Sequence, residues 1–180
     1  SALTSIMQGV IDQELDLLSE RSKEQAVDVY EEMLRITFRV VGRAIFSEDV
    51  VEEELNQLGD KITQIQEYVI KEVRLPFLRW WYILSGKRDH NLRLSQDILD
   101  MQRQFLRRRE ESGTTRDDLL QMLLDARYED TGLPMEEQQL VEETGILFIA
   151  GHETSANALA WTLYLLAQHP DIQEQLRQEL

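Results

Sequence analysis

The sequence predicts an all-α fold, and three observations support this prediction. Residues that favour helices, such as Leu, Glu, Gln and Arg, are abundant, whereas the 180 residues include only eight glycines and three prolines. Apolar side chains recur at helical spacing in several segments. One stretch, residues 134–169, has no proline after its first residue and is long enough for a helix of roughly 50 Å, which would cross a whole domain.

Charge and cysteine content exclude several classes of function. The chain carries 34 acidic and 19 basic residues, a net charge of −15, which argues against nucleic acid as a partner. It contains no cysteine, so it can form neither disulfides nor thiolate metal sites. No charged and apolar leader is visible at the start, and we therefore expect no signal peptide and a cytoplasmic protein.

The long predicted helix has recognisable ends. Pro134 suits a first helical position, where its missing N–H is no loss, and Glu136 and Glu137 place negative charge at the positive end of the helix dipole. Pro170 disfavours helical geometry at His169. We therefore expect one helix over about 134–169.

The apolar centre of this helix raises the question of a membrane span. Residues 144–167 are almost wholly apolar and are long enough to cross a bilayer. Glu153 would then lie near the bilayer centre, where an acid is costly, and the flanks are acidic rather than basic. A buried helix of a soluble protein, with no membrane span, is the better interpretation.

Periodicity and turn signals predict the other helices. The long helix follows the turn at residues 129–132, and an aromatic connector at residues 77–84 joins two of the earlier helices. The predicted helices cover residues 5–18, 29–46, 52–73, 91–111 and 119–128, with a last short helix from Pro170.

Small side chains form a shallow trough along one side of the long helix. At 100° per residue, Ala150, Gly151, Thr154 and Ala158 fall between the bulky Leu147 and Trp161, all on one side. Gly151 costs about 1 kcal/mol relative to alanine inside a helix, so another group should use its space. Close packing of a second helix is one interpretation, and a flat ligand against the trough is the other.

Two polar residues at this trough, one within it and one beside it, suggest a proton path. Thr154 lies four residues after Ala150, so its hydroxyl can bond the Ala150 carbonyl and open the helix locally to water. Glu153, beside that opening in an apolar wall, could carry protons together with Thr154. His152 and Glu153 also begin like a zinc-protease helix, but Ala156 stands where the second histidine is needed, and we expect no metal site.

The six residues 150–155, Ala-Gly-His-Glu-Thr-Ser, resemble the central-helix signature of the cytochrome P450 family, the haem-thiolate monooxygenases. That signature is a small residue, glycine, any residue, an acid, threonine, then threonine or serine. The following Asn157 to Trp161 and the His169-Pro170 pair strengthen the resemblance, which extends over most of the chain. It implies a multi-helix segment of the cytochrome P450 fold, built around one long central helix, from a soluble, bacterial-type member.

The resemblance implies roles for six residues. Ala150, Gly151 and Thr154 would lie against the distal face of the haem, and Glu153 and Thr154 would be catalytic, delivering protons to dioxygen. Ile146 and Ile149 fall at substrate-contact positions. Helices at about 52–111, with their aromatic connector, would form a mobile substrate lid. His152 occupies a variable position and receives no role.

The resemblance also implies partners, and the chain departs from the family at one central point. We expect haem as the cofactor and a small apolar organic substrate with O2. We also expect an electron-donor protein or reductase domain as a partner. The axial cysteine that ligates haem iron is absent from this chain. We therefore expect residues 1–180 to be a single partial domain, without the amino-terminal part and the cysteine-containing carboxy-terminal part of the family fold.

A second function remains open. The chain could be a catalytically inactive helical fragment that self-associates or binds a protein partner, because Leu147, Trp161 and Leu165 would be exposed without flanking elements. Sedimentation at micromolar concentration would distinguish an associating fragment from a monomer.

Overall fold

The computed structural model describes residues 2–47 and 49–179, with Ala2 described only in its backbone. The all-α prediction is confirmed: within these residues the structure has α-helices, one short 3-10 helix and no strand, apart from a single isolated antiparallel bridge. The helices are α1 (Ala2–Glu24), α2 (Val29–Phe46), α3 (Glu52–Arg74), α4 (Arg79–Leu84), α5 (Lys87–Ser112), α6 (Leu119–Asp125), α7 (Glu137–Gln168) and α8 (Pro170–Glu179).

The described chain divides into two compact units. Unit 1 consists of the described parts of Ser1–Ile45 and Ile146–Leu180, and unit 2 consists of the described part of Phe46–Gly145. The single partial domain expected from the sequence stays a prediction.

The long helix begins later than predicted. Pro134 is not its first residue, since it forms the isolated bridge with Arg127. Gly132, at a φ of 68°, reverses the chain between them, and the Tyr128 N–H donates to the Leu133 carbonyl at 3.0 Å. The helix starts at Glu137, where the Leu140 N–H bonds the Glu136 carbonyl at 3.0 Å. Proline suits a tight reversal as well as a helix start, so the sequence signal was ambiguous.

The other boundaries match the sequence predictions to different degrees. α2 has the predicted bounds, and the long helix ends at Gln168, one residue before the predicted end. α1 is longer than predicted at both ends, because the polar residues up to Glu24 continue the helix. The region predicted as residues 52–111 contains α3, a 3-10 turn at Pro76–Leu78, α4 and α5.

Unit 1 has a small apolar core between α1, α2 and the second half of α7. Met33, Ile36 and Val40 are buried with Ala156, and partly buried side chains of α1 pack against them. The buried Glu14 of α1 forms ion pairs with both Arg35 and Arg39 of α2. These pairs satisfy a carboxylate that would otherwise be costly to bury.

Gly151 is a point of close packing in unit 1. A Cβ atom at this position would lie 3.2 Å from Cγ2 and 3.5 Å from Cγ1 of Val41 on α2. The first distance is shorter than ordinary van der Waals contact, so Val41 occupies the space that the glycine leaves. Of the two interpretations of the trough, helix packing therefore holds for Gly151.

Unit 2 combines an apolar core with a buried ion pair. Phe46 and Phe105 meet edge to face at 5.2 Å between ring centroids, and both are fully buried. Arg109 and Asp118 are 2% and 1% exposed. The two terminal nitrogens of the Arg109 guanidinium donate to the two carboxylate oxygens of Asp118 at 3.0 and 2.6 Å, and its Nε donates to Asp49. This bidentate geometry is what a buried pair needs to offset the cost of removing both charges from water.

The Asp118 carboxylate has further donors. Ser47 Oγ donates to it at 2.5 Å, and the Gln121 N–H at 2.9 Å, so Asp118 is also the N-cap of α6. Burial alone would raise the pKa of Asp118, but the hydrogen bonds from Arg109, Ser47 and the Gln121 backbone lower it below its usual range.

Among residues 2–47 and 49–179, no helix combines the length and apolar character that a membrane span requires.

Asp118→Asn should destabilise the protein in a pH-dependent way. The substitution removes the bidentate carboxylate of buried Arg109, whose Nε still pairs with Asp49, so the cost near neutral pH should lie below the roughly 3–5 kcal/mol of breaking a buried pair outright. The pKa of Asp118 is lowered in the folded state, so its ionised carboxylate stabilises the wild-type protein. This stabilisation is complete above the unfolded-state pKa of about 3.9 and is lost as pH falls through the folded-state pKa. Denaturant unfolding at a series of pH values should show the difference in unfolding free energy between the two proteins shrinking below about pH 4.

Asp117→Asn, on the exposed neighbour, is the control and should change stability by less than about 0.5 kcal/mol. A difference that stays constant with pH would contradict the ion pair.

Gly151→Ala should not give the stabilisation that alanine normally brings to a helix. A helical Gly→Ala change stabilises by about 1 kcal/mol, but here the added methyl group meets Val41. The gain should appear only when Val41→Ala removes the obstacle, and a double-mutant cycle of unfolding free energies measures this coupling. Gly9→Ala on α1, where no atom lies within 4 Å of the new Cβ, is the matched control and should stabilise by about 1 kcal/mol. Additive effects of the two substitutions would show that Val41 is not the obstacle.

Candidate functional site

One side of α7 in unit 1 carries most of the residues that the sequence singled out. At about 100° per residue, Ile146, Ile149, Ala150, Glu153 and Thr154 lie within less than half a turn of the helix circumference. Ile146, Ile149, Ala150 and Thr154 are exposed, and Glu153 is half-buried. The structure therefore brings five of the six predicted site residues to one side of α7.

The opposite side of α7 is fixed by aromatic packing. The Phe38 ring of α2 meets the rings of Phe148 and His152 edge to face, at centroid distances of 4.6 and 5.5 Å. Phe148 is fully buried and His152 is 5% exposed. His152 Nδ1 lies 2.9 Å from the Phe148 carbonyl oxygen, which satisfies that nitrogen inside the core. His152 is therefore a core histidine, buried against aromatic rings and hydrogen-bonded within its own helix.

Thr154 makes the hydrogen bond that the sequence predicted. Its Oγ1 donates to the Ala150 carbonyl oxygen at 2.6 Å. The predicted local opening is not present, since the helix is continuous from Glu137 to Gln168. The hydroxyl therefore shares the Ala150 carbonyl with the helix, and this shared acceptor weakens the backbone bond without breaking it.

Gly151 differs from the other residues of the predicted trough. It packs against Val41 at the edge of the exposed side, whereas Ala150, Thr154 and Ala158 are exposed. The exposed part of the trough is thus made of Ala150, Thr154 and Ala158, with Ile146 and Trp161 at its two ends.

Asn157 belongs to this side and was not assigned a role from the sequence. Its Nδ2 donates to the Glu153 carbonyl at 3.0 Å, in the same way that Thr154 bonds Ala150 and Thr162 bonds Ala158 at 2.7 Å. The signal was available in the sequence, because a polar residue four positions after Glu153 in an apolar run can bond that carbonyl. Three side-chain donors thus bond carbonyls between residues 150 and 158.

The exposed side of α7 can form a wall against a flat apolar group. It does not supply a ligand for a metal ion in that group. Ala150 and Thr154 leave room for close approach, and Ile146 adds apolar surface beside them. The chain contains no cysteine. Within the described ranges, no group of three His, Asp or Glu side chains could hold a metal ion. These residues can cover one face of a cofactor such as haem, while an axial iron ligand would have to come from elsewhere.

Comparisons with known proteins identify the family. The sequence model of the family described as Cytochrome P450 matches residues 1–180. The chain is 32% identical over 171 residues to 11-oxo-beta-amyrin 30-oxidase of Glycyrrhiza uralensis, covering 86% of the chain and 31% of that protein. It is 30% identical over 174 residues to cytochrome P450 72A11 of Arabidopsis thaliana, covering 91% of the chain and 33% of that protein.

A solved structure shares the fold. The crystal structure of the cytochrome P450DA heme domain aligns with a TM-score of 0.80 at 25% identity, covering 95% of this chain and 37% of that chain. The chain spans about a third of the length of the curated relatives it matches. The match of the family model over the whole sequence decides the assignment. The chain belongs to the cytochrome P450 family, whose cofactor is haem.

Proposed function

We propose that this chain is the part of a haem-dependent monooxygenase that forms the distal wall of the haem site and the substrate lid, and that the whole enzyme oxidises an apolar organic substrate with O2. The observation that carries the proposal is the exposed side of α7, where Ile146, Ile149, Ala150, Glu153 and Thr154 lie together. Helices α3, α4 and α5, with the connecting 3-10 turn, would form the lid.

Ala150 and Thr154 are the residues that we propose lie directly against the haem, with Gly151 assisting from the position between them. Ala150 and Thr154 are small and exposed on one side of α7. Gly151 contributes indirectly, because the absence of a side chain lets Val41 pack against α7 from the other direction. When bound, haem would supply the activation of dioxygen, and a thiolate ligand for its iron would have to come from outside this chain, which contains no cysteine.

Thr154 and Glu153 are the proposed proton carriers. The Thr154 hydroxyl donates a hydrogen bond to the Ala150 carbonyl. The lone pairs of the hydroxyl oxygen can therefore accept a hydrogen bond from water. Glu153 follows on the same side, half-buried beside it, and a carboxyl group in such a place can take up a proton and release it. Thr154 would hold a water molecule at this place, and Glu153 would supply the proton that passes through that water, while the apolar side chains around them exclude bulk water.

Ile146 and Ile149 are the proposed substrate contacts. Their side chains are 60% and 45% exposed, and they lie about two turns and about one turn before Glu153 on the helix. Exposed aliphatic groups beside a small-residue wall favour an apolar substrate. The relative whose name states oxidation of 11-oxo-beta-amyrin supports a substrate of this class.

The proposed enzyme also needs electrons, which an electron-donor protein or a reductase domain would supply. The alternative, an inactive helical segment that self-associates, stays a prediction, and the 64% exposure of Trp161 is the observation in its favour.

In an enzyme that contains this segment and a cysteine ligand, Thr154→Ala should uncouple the reaction. The substitution removes the hydroxyl that orders water near Ala150, while haem and substrate binding stay largely intact. Reduced cofactor should still be consumed, but a larger share of it should appear as hydrogen peroxide. Product per reduced cofactor should fall by about tenfold or more, which is less than the roughly 10²–10⁴-fold of a lost acid–base group because Glu153 is retained. Thr154→Ser should restore coupling, because it keeps the hydroxyl.

Thr162→Ala is the matched control for this experiment. Thr162 is also exposed on α7 and also bonds the carbonyl four residues earlier, at 2.7 Å, but it lies two turns away. It should change helix stability as much as Thr154→Ala does and leave coupling unchanged. Glu153→Gln should slow turnover instead, because the side chain keeps its shape and loses its titratable proton. Unchanged coupling in Thr154→Ala, normalised to haem, would end the proton-transfer assignment.

Ile149→Ala should weaken substrate binding in the same enzyme. Removing the exposed part of an aliphatic side chain from a substrate contact costs about 1–2 kcal/mol, or roughly fivefold to thirtyfold in the dissociation constant. Leu159→Ala is the control, since Leu159 has a similar exposure of 43% but lies on the other side of α7 from Ala150. Equal effects of the two substitutions on substrate titrations would remove Ile149 from the proposed substrate site.

A further inference from the structure

Unit 1 contains an open cavity between the start of α2 and the second half of α7. Its volume is about 350 Å³, at the lower end of the range for small-molecule sites. The rings of Tyr30, Trp161 and Tyr164 line it, together with Asp28. We call these four residues the aromatic–acidic cavity. The proposed monooxygenase reaction uses none of them.

The aromatic rings form walls that a ligand can reach. The Trp161 and Tyr164 rings stand at 89° with their centroids 5.7 Å apart, so they meet as two sides of a corner. Trp161 and Tyr164 are 64% and 54% exposed, and Tyr30 is 39% exposed. The face of an aromatic ring carries partial negative charge, which attracts a cation.

Asp28 adds a full negative charge in a fixed position. The N–H groups of Tyr30 and Glu31 donate to its Oδ1 at 2.8 and 3.3 Å, so Asp28 caps the start of α2. Its Oδ2 forms no hydrogen bond with any residue that the structure describes. Of the described residues that line the cavity, Asp28 alone is charged. The charge of the cavity is therefore negative.

We propose that the aromatic–acidic cavity binds an organic cation through an alkylated ammonium group. Aromatic faces attract such groups by cation–π interaction, and quaternary ammonium ligands bind between aromatic rings in this way. The Asp28 carboxylate balances the positive charge, while the rings contact the alkyl groups. Both requirements of the ligand, charge and apolar surface, are met within one cavity.

An alkylated ammonium group fits this cavity better than a metal ion or a primary ammonium group. Within the described ranges, no group of three His, Asp or Glu side chains could hold a metal ion. A primary ammonium is strongly hydrated, and a single exposed carboxylate does not replace the water that it would lose. Alkyl groups on the nitrogen reduce this hydration and present apolar surface to the three rings.

The test titrates the chain with choline and with 3,3-dimethylbutan-1-ol, in which a neutral tert-butyl group replaces the trimethylammonium group. The two alcohols have nearly the same shape, so the comparison isolates the charge. Their NMR signals should give a millimolar dissociation constant for choline, and binding of the neutral alcohol should be weaker by about fivefold or more. Saturating the aromatic protons of the protein should transfer magnetisation to the N-methyl protons of choline.

Two substitutions test the proposed contacts. Asp28→Asn should weaken choline binding by about threefold, and the start of α2 should be kept because asparagine is also a good helix cap. Trp161→Leu should weaken choline binding by about threefold to tenfold, because one aromatic face is lost. Circular dichroism of each variant checks that its helical content is retained.

The chain provides a matched control for each substitution. Asp12→Asn removes an exposed carboxylate of α1 that does not line the cavity. Trp80→Leu removes a tryptophan of similar exposure, 60%, in unit 2. Either change should alter choline binding by less than about 1.5-fold at about 0.15 M salt, where distant charges are screened.

A peptide with one trimethyllysine distinguishes two sources of the same chemical group. Tighter binding of the peptide than of choline, lost in Trp161→Leu, would identify a protein side chain as the ligand. Equal or weaker binding of the peptide would identify a free small cation, and either result supports the proposed site. The proposal would be overturned by equal binding of choline and the neutral alcohol, by unchanged choline binding in Asp28→Asn and Trp161→Leu, or by no choline binding up to about 50 mM.

Discussion

The rotation of α7 about its own axis is the constraint on which the candidate site depends, and aromatic packing sets it. Phe148 and His152, one turn apart, both meet the Phe38 ring of α2. A helix steps by about 100° per residue, so fixing two side chains fixes the direction of all the others. Burying a phenylalanine in such a contact typically stabilises by about 3–5 kcal/mol relative to alanine, enough to keep one rotation. Ile146, Ala150 and Thr154 are exposed because Phe148 and His152 are not.

The sequence predicted features that depend on local or periodic patterns. The all-α fold, the bounds of α2 and the end of the long helix follow from apolar spacing and proline position. The hydrogen bond from Thr154 to Ala150 follows from helix geometry alone, because residues four apart are neighbours. The family signature at residues 150–155 rests on six adjacent residues, so it too is local.

The sequence did not predict contacts between distant residues. Nothing adjacent to Gly151 indicates that Val41, over a hundred positions earlier, fills its space. The pairing of Arg109 with Asp118 was missed because Arg109 stands in an arginine-rich run whose other members are more exposed. The missed opening of α7 has a different cause. A threonine hydroxyl can share a carbonyl acceptor with the backbone N–H of the helix, or it can replace that N–H and open the helix. The sequence does not decide between these outcomes.

Asp118 joins several parts of unit 2 through one carboxylate. It accepts hydrogen bonds from Arg109 in the last turns of α5, from Ser47 just after α2, and from the Gln121 N–H in the first turn of α6. None of these partners can leave without affecting the others, because the remaining groups would then be buried without full hydrogen bonding. The end of α5 and the start of α6 should therefore open and close as one cooperative unit. Their slowest-exchanging amide hydrogens should then share a single opening free energy, although they lie on separate helices.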